Sequence, residues 1–429
     1  MGSMAVRKVL IAAIICAGFY CSSARSADIS LTSQLSQSAE FNSNYFLQTH
    51  PPGLTTVPIS SLRVDGIART PTGRLFGSAD LSYQTYAGPG VADFIVAPAL
   101  NKGARVALEQ TEKQTQYNLA ASWRQQQAAP LQLAQTGIAT IGGFITTTVL
   151  QGGLSHHLNA SDTLNWQNNW TSTTFTTPGS VPFTDFSSIG DWTHQLSSTT
   201  AVIPSVNFEQ LNYGGPAQTE LKLWRFFLGM SYQYPGRFNL FASVGALVAT
   251  ASTQQITNPN QLNLIPTIFL PSGPDSLTGG TVFQPVVALP GAPVTSARSA
   301  SASDWLANLR ATFFIDNTTQ FILVAAQSVS PDSFGNIFKT DSVGVILSKQ
   351  VNYSTGLVFT ADAARLTSAS QVTDLYTTSA TYNYQPLRDW NANVTYTFRQ
   401  RFASGITQFG SANSHGVFIG VRRDVTIIP

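Results

Sequence analysis

Residues 381–385 and 391–399 alternate strictly between apolar and polar side chains, on either side of a short turn. Ala380, Tyr382 and Tyr384 share one face, and Thr381, Asn383 and Gln385 share the other. After the Pro386-Leu387-Arg388-Asp389 turn, Val394, Tyr396 and Phe398 oppose Asn393, Thr395, Thr397 and Arg399. A period of two is the signature of an extended strand with different surroundings on its two faces. The pattern recurs along most of the chain, always as hairpins. In a soluble sandwich the apolar face would meet a core. Only 10% of the 429 residues are charged, against about a quarter in ordinary soluble proteins. Beyond the N-terminus no stretch reaches the roughly 18 apolar residues that a membrane helix needs. Apolar residues diluted by abundant Ser, Thr, Asn and Gln, in hairpins, predict an all-β fold: a closed antiparallel transmembrane barrel with lipid outside and a polar interior.

Residues 1–27 read as a secretory signal peptide. Arg7 and Lys8 supply the basic start, and residues 9–19 form an apolar run too short to span a bilayer. Ala24-Arg25-Ser26 gives a small-x-small cleavage site and a mature start near Ala27 or Asp28. Both cysteines, Cys16 and Cys21, fall in this segment. Bulky Tyr20 before Cys21 makes a poor lipoprotein signal. Residues 28–429 then form one barrel domain with neither a disulfide framework nor a cysteine metal site. A net charge of +2 gives no reason to expect nucleic acid.

Short turns recur at 70–73, 159–162, 197–200, 235–237, 316–319, 349–352 and 386–389. Between them lie longer segments rich in Pro, Ser and Gly, at 176–189, 253–303, 329–340, 365–372 and 402–414. This asymmetry matches outer-membrane barrels, with short turns in the periplasm and long loops outside. The first mature strand is placed at 35–47, the next hairpin at 60–69 and 74–86, and a clear strand at 117–123. Parity then requires one more weak strand within 94–108. That gives about 18 strands, with 16 as the alternative, both even as such barrels require. The loop at 253–303 carries apolar runs at 264–270 and 282–289, and is expected to fold against the mouth or inward as a constriction, or to project outward.

Aromatic residues cluster beside the short turns. Trp224, Phe226, Leu228, Met230, Tyr232 and Tyr234 share parity, and the two tyrosines adjoin Pro235-Gly236, where rings meet head groups. Met230 and Phe313 are read as outward and near mid-strand, and Thr312 as inward. The last strand at 414–421 carries Ser414, Gly416, Ile419 and Val421 at the spacing of a barrel-assembly signal.

Parity places Arg63, Asp65, Arg69, Asp80, Arg124, Arg225, Arg310, Arg399 and Arg422 on the face away from lipid. They are the candidate pore lining. A ring of like charge would favour anions; alternatively these arginines are wall residues paired with carboxylates. No catalytic constellation, cofactor loop or metal motif is visible. His156 and His157, being adjacent, point to opposite faces of a strand. The chain is therefore not expected to be an enzyme or to carry a cofactor or metal.

The segments 39–45, 153–164 and 192–202, with the 382–401 hairpin and its closing strand, resemble the porin-2-like β-barrel family of Gram-negative proteobacteria. The likeness runs over most of the chain and is loose in each piece. It implies a bacterial outer-membrane barrel, sometimes linked to envelope polysaccharide export, and no catalytic residues. Such barrels usually end on an aromatic residue. This chain ends Ile428-Pro429, which leaves the last eight residues open to being a tail. The expected function is a passive channel for small hydrophilic solutes or ions. The alternatives are the outer-membrane component of a polysaccharide exporter, or a structural or adhesive surface barrel. Expected surroundings and partners are outer-membrane lipid and lipopolysaccharide, the barrel-assembly machinery and periplasmic chaperones, with a homo-oligomer or export partners possible.

Overall fold

The computed structural model describes residues 28–428 except 52, 92–97, 130–141, 177–179, 215–216, 257–294, 332–336, 368–370 and 406–409. The expected signal peptide and the middle of the expected long loop lie outside the described residues. Eighteen strands form one antiparallel sheet. In chain order they are β1 (Asp28–Asn42), β2 (Thr55–Arg69), β3 (Gly73–Gln84), β4 (Ala99–Glu112), β5 (Thr115–Gln127) and β6 (Phe144–His157). Next come β7 (Asp162–Phe175), β8 (Phe183–Gln195), β9 (Thr200–Tyr213), β10 (Ala217–Tyr234), β11 (Phe238–Ile256) and β12 (Thr295–Phe314). The last six are β13 (Thr319–Pro331), β14 (Ile337–Asn352), β15 (Thr355–Thr367), β16 (Gln371–Leu387), β17 (Trp390–Gly405) and β18 (Ala412–Ile428). Each strand pairs with its chain neighbours, and β1 also pairs with β18. The sheet thus closes on itself and leaves no open edge.

Connections at one end are two to four residues long. Gly236 turns the tightest aromatic corner with φ +71°, a left-handed conformation that a side chain disfavours. The opposite end holds every connection longer than four residues, while three residues join β9 to β10 and β15 to β16 there. The weak strand sought within 94–108 is β4. The strands run further toward the long-connection end than alternation showed. β8 claims 183–189 from the expected 176–189 loop, and β11 and β12 shorten the 253–303 segment from both sides. Beyond the membrane both faces of a strand meet water, so the backbone ladder persists while the apolar rhythm fades. The first strand is shifted the other way. β1 ends at Asn42, and residues 43–47 leave the sheet. Residues 422–428 are not a tail, because β18 stays registered with β1 down to Thr426↔Thr32 and Ile428↔Leu31.

The two faces differ as lipid and water demand. Leu35, Leu119, Trp166, Trp224, Leu228, Met230, Val244, Phe359 and Tyr382 are all exposed on the outer face. Apolar side chains left bare in such numbers make sense only against hydrocarbon. Near the short turns the outer rings form a ladder: Tyr234 to Phe238, Phe238 to Phe313 and Phe313 to Phe321 each have centroids 6.0 Å apart. A second group, including the Phe208–Trp224 pair at 4.6 Å, lies further up. Strands rise about 3.3 Å per residue. A tilt of about 40° leaves about 2.5 Å of height per residue. Tyr234 and Trp224 are ten residues apart on β10, so the girdles stand about 25 Å apart, the thickness of the apolar band of such barrels. Phe313 belongs to the lower girdle and is not a mid-strand residue.

Candidate functional site

Strand register carries every candidate lining residue to the inner face. Arg63 faces Gln34 and Asp80 across the ladder, and Asp65 faces Thr32 and Ser78. Arg69 lies opposite Asp28, and Arg124 opposite Gly103 and Thr147. Arg225 lies opposite Asn207, Arg310 opposite Phe241 and Val324, Arg399 opposite Thr377 and Ser414, and Arg422 opposite Asn391 and Ser36. All are set by one rule, since side chains of a strand alternate faces and partners directly across a ladder share a face.

Several of these charges are already answered. Arg63 Nε donates to both carboxylate oxygens of Asp65 at 2.9 Å. Arg422 Nε stands 3.2 Å from Asp424, Arg124 reaches 3.9 Å toward Asp80, and Arg225 Nη1 meets Glu209 at 2.5 Å. The Arg225–Glu209 pair is held with both side chains mostly buried. Arg69, Arg310 and Arg399 make no ion pair among the described residues. The same register brings inward a set of charges not selected from the sequence: Glu40, Glu109, Asp185, Asp191, Glu209 and Asp362, with Arg74, Arg105 and Arg401. Carboxylates and guanidiniums are thus near balance on the inner wall. Parity applied to every charge, rather than to arginines foremost, would have found them.

The mouth at the long-connection end is narrowed by residues 43–48. Asn44 organises the segment. Its side-chain amide donates to the Gln48 carbonyl at 2.7 Å and to the Asn413 carbonyl at 2.9 Å, while its side-chain oxygen accepts from the Gln48 backbone at 2.8 Å. Asn42 continues the network. Its oxygen accepts from Ser414 Oγ at 2.6 Å and from the Asn44 backbone at 2.9 Å, and its amide donates to Glu40 at 3.1 Å. Leu47 takes a positive φ of 50°, which turns the chain back. The result buries Phe46 and Leu47 together with Ala129 and Ala412, with Tyr45 and Leu375 packed alongside. Tyr45 meets Tyr86 edge-on with centroids 5.7 Å apart. Burial, reinforced by the nearby Glu40 carboxylate, pushes the Tyr45 phenol up to about 12. Tyr86 in turn donates to Gln127 at 2.6 Å. The segment therefore draws together residues on or next to β16, β18, β1, β3 and β5, along one side of the opening. The inward segment found here is the first connection. The constriction anticipated from 253–303 lies on residues outside the described set.

Of the candidate assembly residues, Ser414 and Gly416 face inward, and Ile419 and Val421 face lipid opposite Ala39 and Gln37. Ser414 is 2% exposed and belongs to the Asn42 network that ties β18 to β1. His156 and His157 each bond a threonine, Thr115 at 2.8 Å and Thr163 at 2.9 Å, on opposite faces. Among the described residues no group of His, Cys, Asp and Glu is placed to hold a metal ion.

No protein-family model matches the chain, and no curated protein does. Among solved structures, the open form of the ferric-catecholate import receptor Fiu from E. coli K12 aligns over 93% of this chain and 82% of that one, with TM-score 0.51 and 9% identity. OccK2 of Pseudomonas aeruginosa aligns over 94% and 99%, with TM-score 0.45 and 7% identity. OccAB4 of Acinetobacter baumannii aligns over 93% and 98%, with TM-score 0.42 and 10% identity. At such identities the likeness to Fiu carries the fold alone. With the closed sheet and the lipid-facing belt, it defines the class: the chain is a β-barrel of the bacterial outer membrane.

Proposed function

We propose that the barrel is a passive channel for small hydrophilic solutes and ions, narrowed at its outer mouth by the Tyr45-Phe46-Leu47 segment. The observation that carries this reading is the inner wall. Away from the leucine cluster on the inner face of β9–β12, it is lined by hydroxyls, amides and paired charges that match water, as the outer face matches lipid. Eighteen strands enclose enough width for an aqueous path. The balance of inner charges supports weak ion selectivity, with any anion preference arising from Arg69, Arg310 and Arg399. The reading assigns no catalytic chemistry. The resemblance to the porin-2-like family supports it, as does the barrel fold shared with Fiu, an import receptor. Insertion would depend on the barrel-assembly machinery and periplasmic chaperones, with Ser414, Gly416, Ile419 and Val421 as the signal read.

Planar-bilayer recording tests the proposal. Purified protein is expected to give discrete steps in KCl with a reversal potential near zero in a salt gradient. A correctly inserted, heat-modifiable barrel without conductance would reject it and would favour the export-component reading.

A further inference from the structure

At the short-turn end the inner wall holds a hollow of about 390 Å³, bounded by the β12–β13 and β14–β15 turns. Strand register builds it from two rows of side chains. In the upper row Phe314, Gln320, Ser348 and Val358 stand directly across from one another on β12, β13, β14 and β15. In the lower row Gln350, Gly356 and Asn383 do the same on β14, β15 and β16. Phe314 shares parity with Arg310, and partners across a ladder share a face. Both rows therefore belong to the inner wall.

Gly356 makes the space. It does not take a positive φ, so its use here is the missing side chain and not backbone freedom. A Cβ at this position would stand 3.3 Å from Gln350 Oε1, in the gap between the Gln350 and Asn383 amides.

The lining is polar and neutral. Gln320, Ser348 and Asn383 take no side-chain partner among the described residues, so their donors and acceptors are open. Gln350 and Gln385 each commit a side-chain N–H to a local carbonyl, that of Asn352 at 2.6 Å and that of Arg388 at 3.0 Å, which leaves their oxygens as acceptors. The two charges at the rim are turned elsewhere. Asp316 accepts from the Thr318 hydroxyl and backbone at 2.7 Å, and Lys349 lies opposite Leu357 on the outer face. Two aromatic rings border this field. Phe314 closes one end, 37% exposed, and Tyr353 stands at the tip of the β14–β15 turn, 96% exposed.

This combination selects a ligand class. Side-chain amides carry donor and acceptor together, as the hydroxyls of a sugar do. Aromatic faces cover the C–H faces of a pyranose ring, burying apolar area without asking for charge. A charged solute finds no free counter-charge in the hollow, and an apolar one would leave the amides unpaired. We propose that the hollow is a saccharide subsite at the periplasmic mouth. A short neutral oligosaccharide seats its rings on Phe314 and Tyr353 and its hydroxyls on Gln320, Ser348, Gln350 and Asn383. The upper row crosses three strand spacings, about 14 Å, which accommodates more than one ring. Passage of that sugar through the barrel rests on the channel reading above; its binding does not.

Maltotriose, cellotriose and triacetylchitotriose are the probes, titrated by calorimetry into the heat-modifiable barrel in detergent. At least one is expected to bind saturably. Gly356→Val, which fills the gap, and Tyr353→Ala, at an exposed turn, are each expected to weaken that binding at least tenfold. Gln151→Ala, on the inner wall of β6 opposite Asn169 and away from the hollow, should bind as the unaltered protein does. Tyr353→Ala decides alone if Gly356→Val loses heat modifiability. Absence of saturable binding by all three sugars overturns the subsite, as does unchanged affinity in Tyr353→Ala. Equal binding of a capped trialanine also overturns it, by showing an unselective polar cleft. A barrel that binds the sugar at this site but carries no current in KCl keeps the subsite and rejects the channel alone.

Discussion

Arginine at Met230 should be among the most damaging single changes on the outer wall. Met230 is half exposed and lies four residues above Tyr234 of the lower girdle. At about 2.5 Å of height per residue, this puts its side chain about 10 Å into a band about 25 Å thick, close to the midplane. A guanidinium there costs about 2–4 kcal/mol, falling to about 0–1 kcal/mol near the interfaces. Met230→Arg should therefore shift the unfolding equilibrium in vesicles by well over tenfold. Phe313→Arg, in the girdle, should cost a small fraction of that. Ser231→Arg, one residue along and on the inner face, serves as the control for face. Thr312 is a poorer control than its parity implied, because it is only 9% exposed and an added guanidinium would meet packed neighbours. Equilibrium urea titration of the three variants in short-chain lipid vesicles gives the comparison. Equal costs at Met230 and Phe313 would refute the height assignment. Equal costs at Met230 and Ser231 would refute the assignment of faces.

Replacing residues 43–48 with a short Gly/Ser linker should leave the barrel heat-modifiable and raise single-channel conductance, which recording would show directly. Arg399→Ala and Arg310→Ala should each move the reversal potential toward cation preference, since neither guanidinium is neutralised by an ion pair among the described residues. Arg225→Ala should instead cost about 3–5 kcal/mol in urea titration, because it strands the mostly buried Glu209 carboxylate near Asp185. In the 315–318 turn, hydrogen bonds from the Thr318 hydroxyl and backbone hold the Asp316 carboxyl down at about 2. A depressed carboxylate contributes stability above its ordinary value near 4, and that contribution is lost as pH falls through about 2. Amide exchange at Thr318 should stay slow down to about pH 4 and rise below it relative to Asp316→Asn.

The faces of this barrel were legible in the sequence, because a strand's side chains alternate whatever the strand pairs with. That local rule assigned Tyr382 and Met230 to lipid and Arg63 and Arg399 to the interior. Applied to every charge, the same rule would have reached Glu209 and Asp424, but a pairing such as Arg225 with Glu209 depends on register between strands, which parity does not give. Strand ends were less legible. Outside the bilayer nothing forces alternation, so β8 and β12 start where the sequence looks like loop. Two features belong to the tertiary structure alone. The mouth is narrowed because closure brings Leu375, Ala129 and Ala412 within reach of Phe46 and Leu47, although about 80 positions of chain separate Ala129 from them and more than 300 separate the other two. β12 and β13 are long enough to pair throughout, yet their ladder runs only from Phe314↔Gln320 to Asn308↔Ala326, and above it Lys339 of an outer face reaches Asp304 of an inner one. Their sequences do not mark where the ladder stops; only the placement of the two strands in the closed sheet decides that an inner face there meets an outer one.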